Sequence, residues 1–154
     1  MRTLDTIWIA APAERVFRHA AEVERWPGIL PHYRWVRLHE WRPDESGIVE
    51  MAAWRPFGRL RWPTWWMSEM WIQRDRREVR YRHVRGVTSG MDVLWRIVPE
   101  GTGARATIVH EWAGPSWPLI RRPAADWVIG PVFVRGIASR TLAGIARAAE
   151  NSDA

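Results

Sequence analysis

The sequence feature that most constrains the fold is a helical repeat close to the C-terminus. Apolar and small residues recur there at intervals of three or four positions, starting from Pro131. They are Val134, Ile137, Ala138, Thr141, Leu142 and Ile145. Polar residues fall mostly between them, on the other side: Arg135, Ser139, Arg140 and Arg147. This spacing predicts an amphipathic helix of roughly 19 residues and about 28 Å, which must cover its apolar face against the rest of the chain.

A glycine–proline pair, Gly130-Pro131, separates this repeat from a shorter helical pattern at Arg122–Ile129. Proline lacks a backbone N–H and disfavours helical geometry in the residue before it. The sequence therefore predicts a short helix, a break at the pair, and then the main helix.

The chain before residue 113 alternates in the two-residue period of β-strands. The predicted strands are Thr3–Ala10, Tyr33–Trp41, Ile48–Trp54, Leu60–Gln73, Val79–Arg85, Met91–Val98 and Ala104–Trp112. Leu60–Gln73 is the longest of them, and Pro63 within it predicts a bulge, an edge position or a later start.

Two short helical pieces are predicted after the first strand. Ala11-Pro12 begins the first piece, with proline at the first helical position and Glu14 in the first turn. Its apolar stripe consists of Val16, Phe17 and Ala20. Trp26-Pro27 ends the helical region, and the strands follow.

Helices segregated to one side of an antiparallel sheet form a two-layer α+β domain. A length of 154 residues fits a single domain over residues 1–154. A curved antiparallel sheet of about seven strands, wrapped around the long helix, leaves a space between the two layers. This space is the candidate site.

The composition limits the chemistry of that site. The absence of cysteine excludes disulfides, thiolate ligands and thiol catalysis. No apolar run approaches the ~18 residues of a membrane-spanning helix, so a cytoplasmic location is the default expectation. Thirteen tryptophans exceed what a core of this size needs, which favours an aromatic-lined cavity or interface.

The net charge is +6, and the positive charges are carried by arginine alone, because the chain contains no lysine. A basic surface suits nucleic acid, an anionic membrane or an acidic substrate. The arginines are spread along many predicted strands without a dense run. This distribution argues against a nucleic-acid partner.

Several segments resemble a known superfamily. Ile9–Phe17 is similar to the strand-to-helix segment of the START-like (SRPBCC) helix-grip superfamily. Val23–Pro27, followed by Pro31-His32-Tyr33, resembles its polyketide cyclase/dehydrase and coenzyme-Q-binding branch. The resemblance covers nearly the whole chain, including Gly101-Thr102 before the last predicted strand. It implies a helix-grip fold but leaves the function open, because members act as lipid carriers, hormone receptors, cyclases or ribosome-associated factors.

The aromatase/cyclase members of this superfamily offer a sharper comparison. Their pocket uses a tryptophan before proline, a tyrosine a few residues later, and tryptophan, serine and arginine on alternate positions of a central strand. Four residues match this pattern: Trp26, Tyr33, Trp66 and Ser68. Met70 stands where the arginine is expected. The resemblance implies that this arginine holds the polyketide and assists dehydration, whereas methionine offers only apolar contact, so the departure counts against that activity.

Strand parity and the resemblance together place a set of side chains on the face towards the helix. The predicted ligand-binding residues are Trp26, Tyr33, Trp66, Ser68, Met70, Tyr81, His83, Trp95, His110 and Trp112. His83 and His110 are the inward residues whose ordinary pKa lies near neutrality, so they and Tyr33 are the candidate catalytic residues. No metal-ligand spacing, phosphate-binding loop or nucleophile motif occurs in the sequence. The sequence therefore predicts neither a metal nor a cofactor.

Trp65, Met67 and Trp71 fall on the opposite face of the longest strand. Arginine side chains, a second subunit or an anionic membrane surface would each cover such a patch. The sequence does not choose among them, and both a monomer and a homodimer stay open.

These patterns predict a protein that binds or transports a small hydrophobic ligand, such as a lipid, an isoprenoid or a polyketide. The first alternative is a polyketide aromatase/cyclase or dehydratase, in which Tyr33, His83 or His110 replaces the missing arginine. The second alternative is a ribosome- or RNA-associated factor, which would need its arginines clustered on one surface.

Overall fold

The computed structural model of the protein describes residues 1–57, 59–114 and 134–152, without the side chains of Pro56, Phe57 and Arg135. The predicted helix at Arg122–Ile129 and the predicted break at Gly130-Pro131 lie outside the described residues.

The described residues form strands, α-helices and two short 3₁₀ turns. The strands and α-helices are β1 (Arg2–Ile9), α1 (Ala13–Ala21), α2 (Trp26–Ile29), β2 (Tyr33–Trp41), β3 (Ser46–Phe57), β4 (Leu60–Gln73), β5 (Glu78–Gly86), β6 (Asp92–Glu100), β7 (Gly103–Glu111) and α3 (Arg135–Asn151). The 3₁₀ turns are Val23–Arg25 and Arg74–Arg76.

The strands form one antiparallel sheet with the order β1-β7-β6-β5-β4-β3-β2. Consecutive strands from β2 to β7 are neighbours, as expected when short turns connect them. The exception is β1, which pairs with β7 and places Thr3 opposite His110. The long helix α3 packs against β1, α1 and α2. This curved sheet with its C-terminal helix confirms the predicted α+β helix-grip fold.

The apolar stripe of α3 is buried as the helical repeat predicts. Five residues of the stripe are buried: Val134, Ala138, Thr141, Leu142 and Ile145. Ile137 is partly buried, and Ser139, Arg140 and Arg147 are exposed. The helix passes so close to α2 that a Cβ atom at Gly144 would overlap Cδ2 of Leu30.

The first helix begins one residue later than predicted. Pro12 is the N-cap of α1, with φ −56° and ψ 140°, and Ala13 is the first helical residue. The carbonyl of Pro12 accepts hydrogen bonds from the backbone N–H groups of Arg15 (3.0 Å) and Val16 (3.1 Å). An N-cap residue has extended geometry and already accepts the first intrahelical bond, so proline fits this position as well as the next one.

Pro63 does not interrupt β4, which runs over the whole predicted span. It pairs with Trp54 of β3 without a register shift. On the other side of β4, pairing with β5 begins only at Trp66. The segment around Pro63 is therefore an edge among the described strands, where a missing backbone N–H is tolerated.

Candidate functional site

A cavity of about 80 Å³ lies between the sheet and α3, which is room for several water molecules. Its walls come from α2, from strands β2 to β7, from the β5–β6 loop and from α3. Most of the lining side chains are apolar or aromatic. This combination is typical of a site for a small hydrophobic molecule.

Seven of the ten predicted ligand-binding residues line the cavity: Trp26, Tyr33, Trp66, Tyr81, His83, Trp95 and His110. Ser68 and Met70 are buried on β4, with 0% and 1% of their surface exposed, but they are not part of its lining. They lie opposite His83 and Tyr81 in the register of β4 and β5. Strand parity gives the face on which a residue lies, but it does not show whether a longer neighbour separates the residue from the cavity.

Trp112 also lies outside the lining and holds the end of the sheet together. Its indole Nε1 donates to the carbonyl of Ser89 at 2.9 Å, and its backbone N–H donates to the carbonyl of Met1 at 3.0 Å. The side chain is 4% exposed. These contacts join the β5–β6 loop, β7 and the start of β1.

Nine lining residues were not predicted as ligand-binding residues: Met51, Thr88, Met91, Val93, Ile108, Val134, Ile137, Ala138 and Thr141. Val134, directly before α3, and the three on α3 belong to the predicted apolar stripe, but the helical spacing indicated packing alone. Met51 lies opposite Trp66 in the β3–β4 register. Thr88 lies in a loop, where no periodicity exists to reveal the direction of a side chain.

Five aromatic rings form a continuous arc around the cavity. Trp26 is central to it, with ring centroids 5.6 Å from Trp95 and 5.1 Å from Tyr33. Tyr33 meets Trp66 edge to face at 6.1 Å, and Trp66 stacks on His83 at 6.0 Å. The indole Nε1 of Trp26 donates to the carbonyl of His19 at 2.9 Å. Since each ring is fixed by its neighbours, the arc presents faces and edges in set directions.

Two tyrosine hydroxyls lie in this apolar setting and differ in their partners. The hydroxyl of Tyr33 lies close enough to Thr141 of α3 for the threonine to offset part of the effect of burial on the phenol pKa. The hydroxyl of Tyr81 is buried and has no hydrogen-bond partner among the described residues. Burial raises the pKa of both phenols well above their usual value. Tyr81 therefore keeps its proton at neutral pH, and its hydroxyl is able to donate a hydrogen bond to a ligand oxygen.

The two candidate catalytic histidines are held by threonines. Nδ1 of His83 lies 2.6 Å from Oγ1 of Thr88, and Nδ1 of His110 lies 3.3 Å from Oγ1 of Thr3. Burial, with a smaller effect of His110, lowers the pKa of His83 to about 3. Burial also lowers the pKa of His110 to about 4. Both imidazoles are thus neutral at pH 7, but such low pKa values make them weak general bases.

The outward patch predicted on β4 is partly covered. Trp65 and Met67 are half-buried, and Trp71 is 37% exposed. The indole Nε1 of Trp65 donates to Oε1 of Glu50 at 2.6 Å. Arginine–tryptophan pairs occur on the neighbouring strands β2 and β3, where Arg34 and Arg37 lie over Trp54 (4.6 Å) and Trp35 (4.5 Å).

In the described ranges, histidine, aspartate and glutamate side chains nowhere form a group of three or more that could hold a metal ion. Within the same ranges, no helix has both the length and the apolar character needed to cross a membrane. The cytoplasmic location stays a prediction.

Comparison with known proteins agrees with this geometry. A sequence profile of the family described as polyketide cyclase/dehydrase and lipid transport matches residues 9–133. No curated protein sequence matches significantly.

Similar solved structures cover almost the whole chain. The Zhui aromatase/cyclase from Streptomyces sp. R1128 has a TM-score of 0.84 at 18% identity, covering 100% of this chain and 96% of the other. The protein TTHA0849 from Thermus thermophilus has a TM-score of 0.82 at 17% identity, with both chains fully covered (100%). A START superfamily protein from Mycobacterium smegmatis has a TM-score of 0.67 at 16% identity, covering 97% and 94% of the two chains. At these identities the similarity shows a shared fold.

Proposed function

Because the chain belongs to the polyketide cyclase/dehydrase and lipid transport family, we propose that it binds a small, ring-containing hydrophobic ligand between the sheet and α3. The observation that carries this proposal is the arc of aromatic rings around the cavity, from Trp95 through Trp26, Tyr33 and Trp66 to His83. The proposed role is binding and transport of this ligand, without any chemical step.

The arc favours a ligand with a flat ring over a simple acyl chain. Indole and phenol rings attract other rings in offset or edge-to-face geometry, by about 0.5–1.5 kcal/mol per pair beyond the burial of area. Trp26 is 2% exposed and Trp66 is 8% exposed, so both are already fixed before a ligand enters. A preorganised wall loses little side-chain entropy on binding.

The hydroxyl of Tyr81 adds a polar requirement. A buried donor without a partner costs about 1–3 kcal/mol, and a carbonyl or hydroxyl oxygen on the ligand would remove this cost. We therefore specify the ligand as a ring compound that carries at least one oxygen atom, placed to accept a hydrogen bond from Tyr81.

Native mass spectrometry of the purified protein, followed by solvent extraction, tests for such a ligand directly. Tyr81→Phe then tests the hydroxyl, and Ser68→Ala is its matched control, because the Ser68 hydroxyl is also buried without a partner but lies outside the cavity lining. Neither variant should lose stability. Only Tyr81→Phe should weaken binding of the extracted ligand. Its affinity should fall by about three- to tenfold, which corresponds to one lost hydrogen bond. Equal affinities of the two variants would contradict the role of Tyr81.

The second candidate function is a cyclase or dehydratase, and it is favoured by the two neutral imidazoles that line the cavity. Nδ1 of His83 and of His110 lies within hydrogen-bond distance of a threonine Oγ1. In the tautomer in which Nδ1–H donates to the threonine, Nε2 is the nitrogen that accepts a substrate proton. Turnover of a poly-β-ketone mimic should then be lost in both His83→Ala and His110→Ala, while ligand affinity changes little. Turnover by the wild type that is lost in both histidine variants would replace the binding-only proposal. A wild-type protein that binds the ligand but shows no turnover would refute the enzyme function.

A further inference from the structure

A basic groove of about 370 Å³ lies beside the aromatic cavity. Its lining consists of Pro31, His32, Trp54, Arg61, Arg140, Ala143 and Arg147. Nε2 of His32 lies 2.9 Å from Oγ1 of Thr141, and Thr141 belongs to the cavity lining. One hydrogen-bonded pair thus contributes to both sites, with its histidine on the groove and its threonine on the cavity.

The charges of the groove come from two elements that are far apart in the sequence. Arg140 and Arg147 belong to α3, and a separation of seven residues places them two turns apart, or about 10 Å along the axis. Ala143 lies between them on the same helical face, so no bulky side chain obstructs the gap. Arg61 is contributed by β4.

No carboxylate among the described residues forms an ion pair with these three arginines. Other arginines on the described surface do have such partners, as Arg80 and Arg96 have in Glu78. The effect of the charges reaches His32, since burial and then the fields of Arg140 and Arg147 lower its pKa to about 4. Like charges gathered without a counter-charge attract an anion.

We propose that the groove binds a phosphate group, carried either by a small phosphate ester or by a lipid headgroup. Guanidinium groups match phosphate oxygens with two parallel hydrogen bonds, and they do so at a lower desolvation cost than ammonium groups. Arg140 and Arg147 approach from two turns apart, so a diphosphate is within reach of both. Trp54, Pro31 and Ala143 offer an apolar surface for the carbon part of the ligand. The proposal does not depend on what the aromatic cavity binds.

Calorimetric titration with inorganic pyrophosphate at low salt is the first test. The Arg140→Gln/Arg147→Gln variant should bind pyrophosphate about tenfold or more weakly than the wild type, because charge-assisted hydrogen bonds are lost. Arg76→Gln/Arg85→Gln is the matched control, since both arginines are exposed and lie outside the groove. The control removes the same net charge and should stay within about twofold of the wild type. Equal weakening in the two variants would mean non-specific attraction and would overturn the proposal.

Cosedimentation with vesicles separates the two sources of phosphate. A lipid headgroup would be assigned if the protein binds phosphatidylglycerol–phosphatidylcholine vesicles but not pure phosphatidylcholine vesicles, and if this binding requires Arg140 and Arg147. Pyrophosphate binding without vesicle binding would assign a free phosphate ester. Absence of both would refute the site. The imidazole NMR signals of His32 should shift when pyrophosphate is added to the wild type, and they should stay in place in the Arg140→Gln/Arg147→Gln variant. Circular dichroism of all variants verifies that they fold.

Discussion

Gly144→Ala tests how tightly α3 packs on α2, and with it the geometry of the cavity wall. Gly144 is buried in the middle of α3. An added Cβ would overlap Cδ2 of Leu30 and lie 3.6 Å from the carbonyl oxygen of Ile29. Leu30 is 0% exposed, so its side chain has little room to move away.

Two effects of opposite sign act on this variant. Alanine favours a helix interior over glycine by about 1 kcal/mol, whereas an extra methyl group in a well-packed core costs about 1–3 kcal/mol. The expected net effect is a loss of up to about 2 kcal/mol in the free energy of unfolding. Gly136→Ala is the matched control in the same helix, because nothing lies within 4 Å of its added Cβ. The control should be neutral or slightly stabilising.

Urea unfolding, followed by circular dichroism at 222 nm in all variants, measures the difference between the two alanines. Gly144→Ala should be less stable than Gly136→Ala by up to about 3 kcal/mol, because only Gly144→Ala introduces the overlap. Combining Gly144→Ala with Leu30→Ala removes the overlapping atom, so the double variant should lose less than the sum of the single effects. Strict additivity, or a Gly144→Ala protein at least as stable as the control, would refute the close contact between the helices.

Two further predictions concern inward-facing side chains of the sheet. His83 and His110 are neutral when folded, with pKa values of about 3 and 4, but take up protons near pH 6.5 when unfolded; the unfolded state then binds more protons. The free energy of unfolding should therefore fall below about pH 6.5, by up to about 1.4 kcal/mol per pH unit for each histidine. His110→Gln should flatten this slope in urea titrations, and an unchanged slope would argue against a buried neutral imidazole. Met70→Arg should lower the free energy of unfolding by several kcal/mol, because Met70 is 1% exposed and an unpaired buried charge is expensive. Met70→Leu should lower it by less than about 1.5 kcal/mol. Equal urea midpoints for the two variants would show that position 70 reaches solvent.

Local periodicity alone was enough to predict the seven strands and the long helix α3. The alternation of Leu60–Gln73 and the stripe from Val134 to Ile145 repeat at the spacings of a strand and a helix, and the structure shows β4 and α3 over these stretches. The boundaries shifted by a few residues, because proline fits both the N-cap and the first helical positions. Pro12 is the N-cap of α1, and Trp26-Pro27, predicted to end the helical region, begins α2 instead. Such patterns depend on neighbours in the sequence, which is why they were readable there.

The faces of the strands were also predictable, but the depth of a side chain was not. Trp66, Ser68 and Met70 share one face by parity, yet only Trp66 lines the cavity. Whether a side chain reaches the cavity depends on its length and on the residues of β5 that lie opposite it. That register is set by pairing between strands, which no local pattern contains.

Tertiary structure alone brought together residues that are distant in the sequence. The pairing of β1 with β7 places Thr3 beside His110. The groove joins Arg61 to Arg140 and Arg147, although in the sequence the arginines are scattered over the whole chain. Charge and aromatic content were properties of the sequence, but their concentration at one place depends on long-range packing of the sheet against α3.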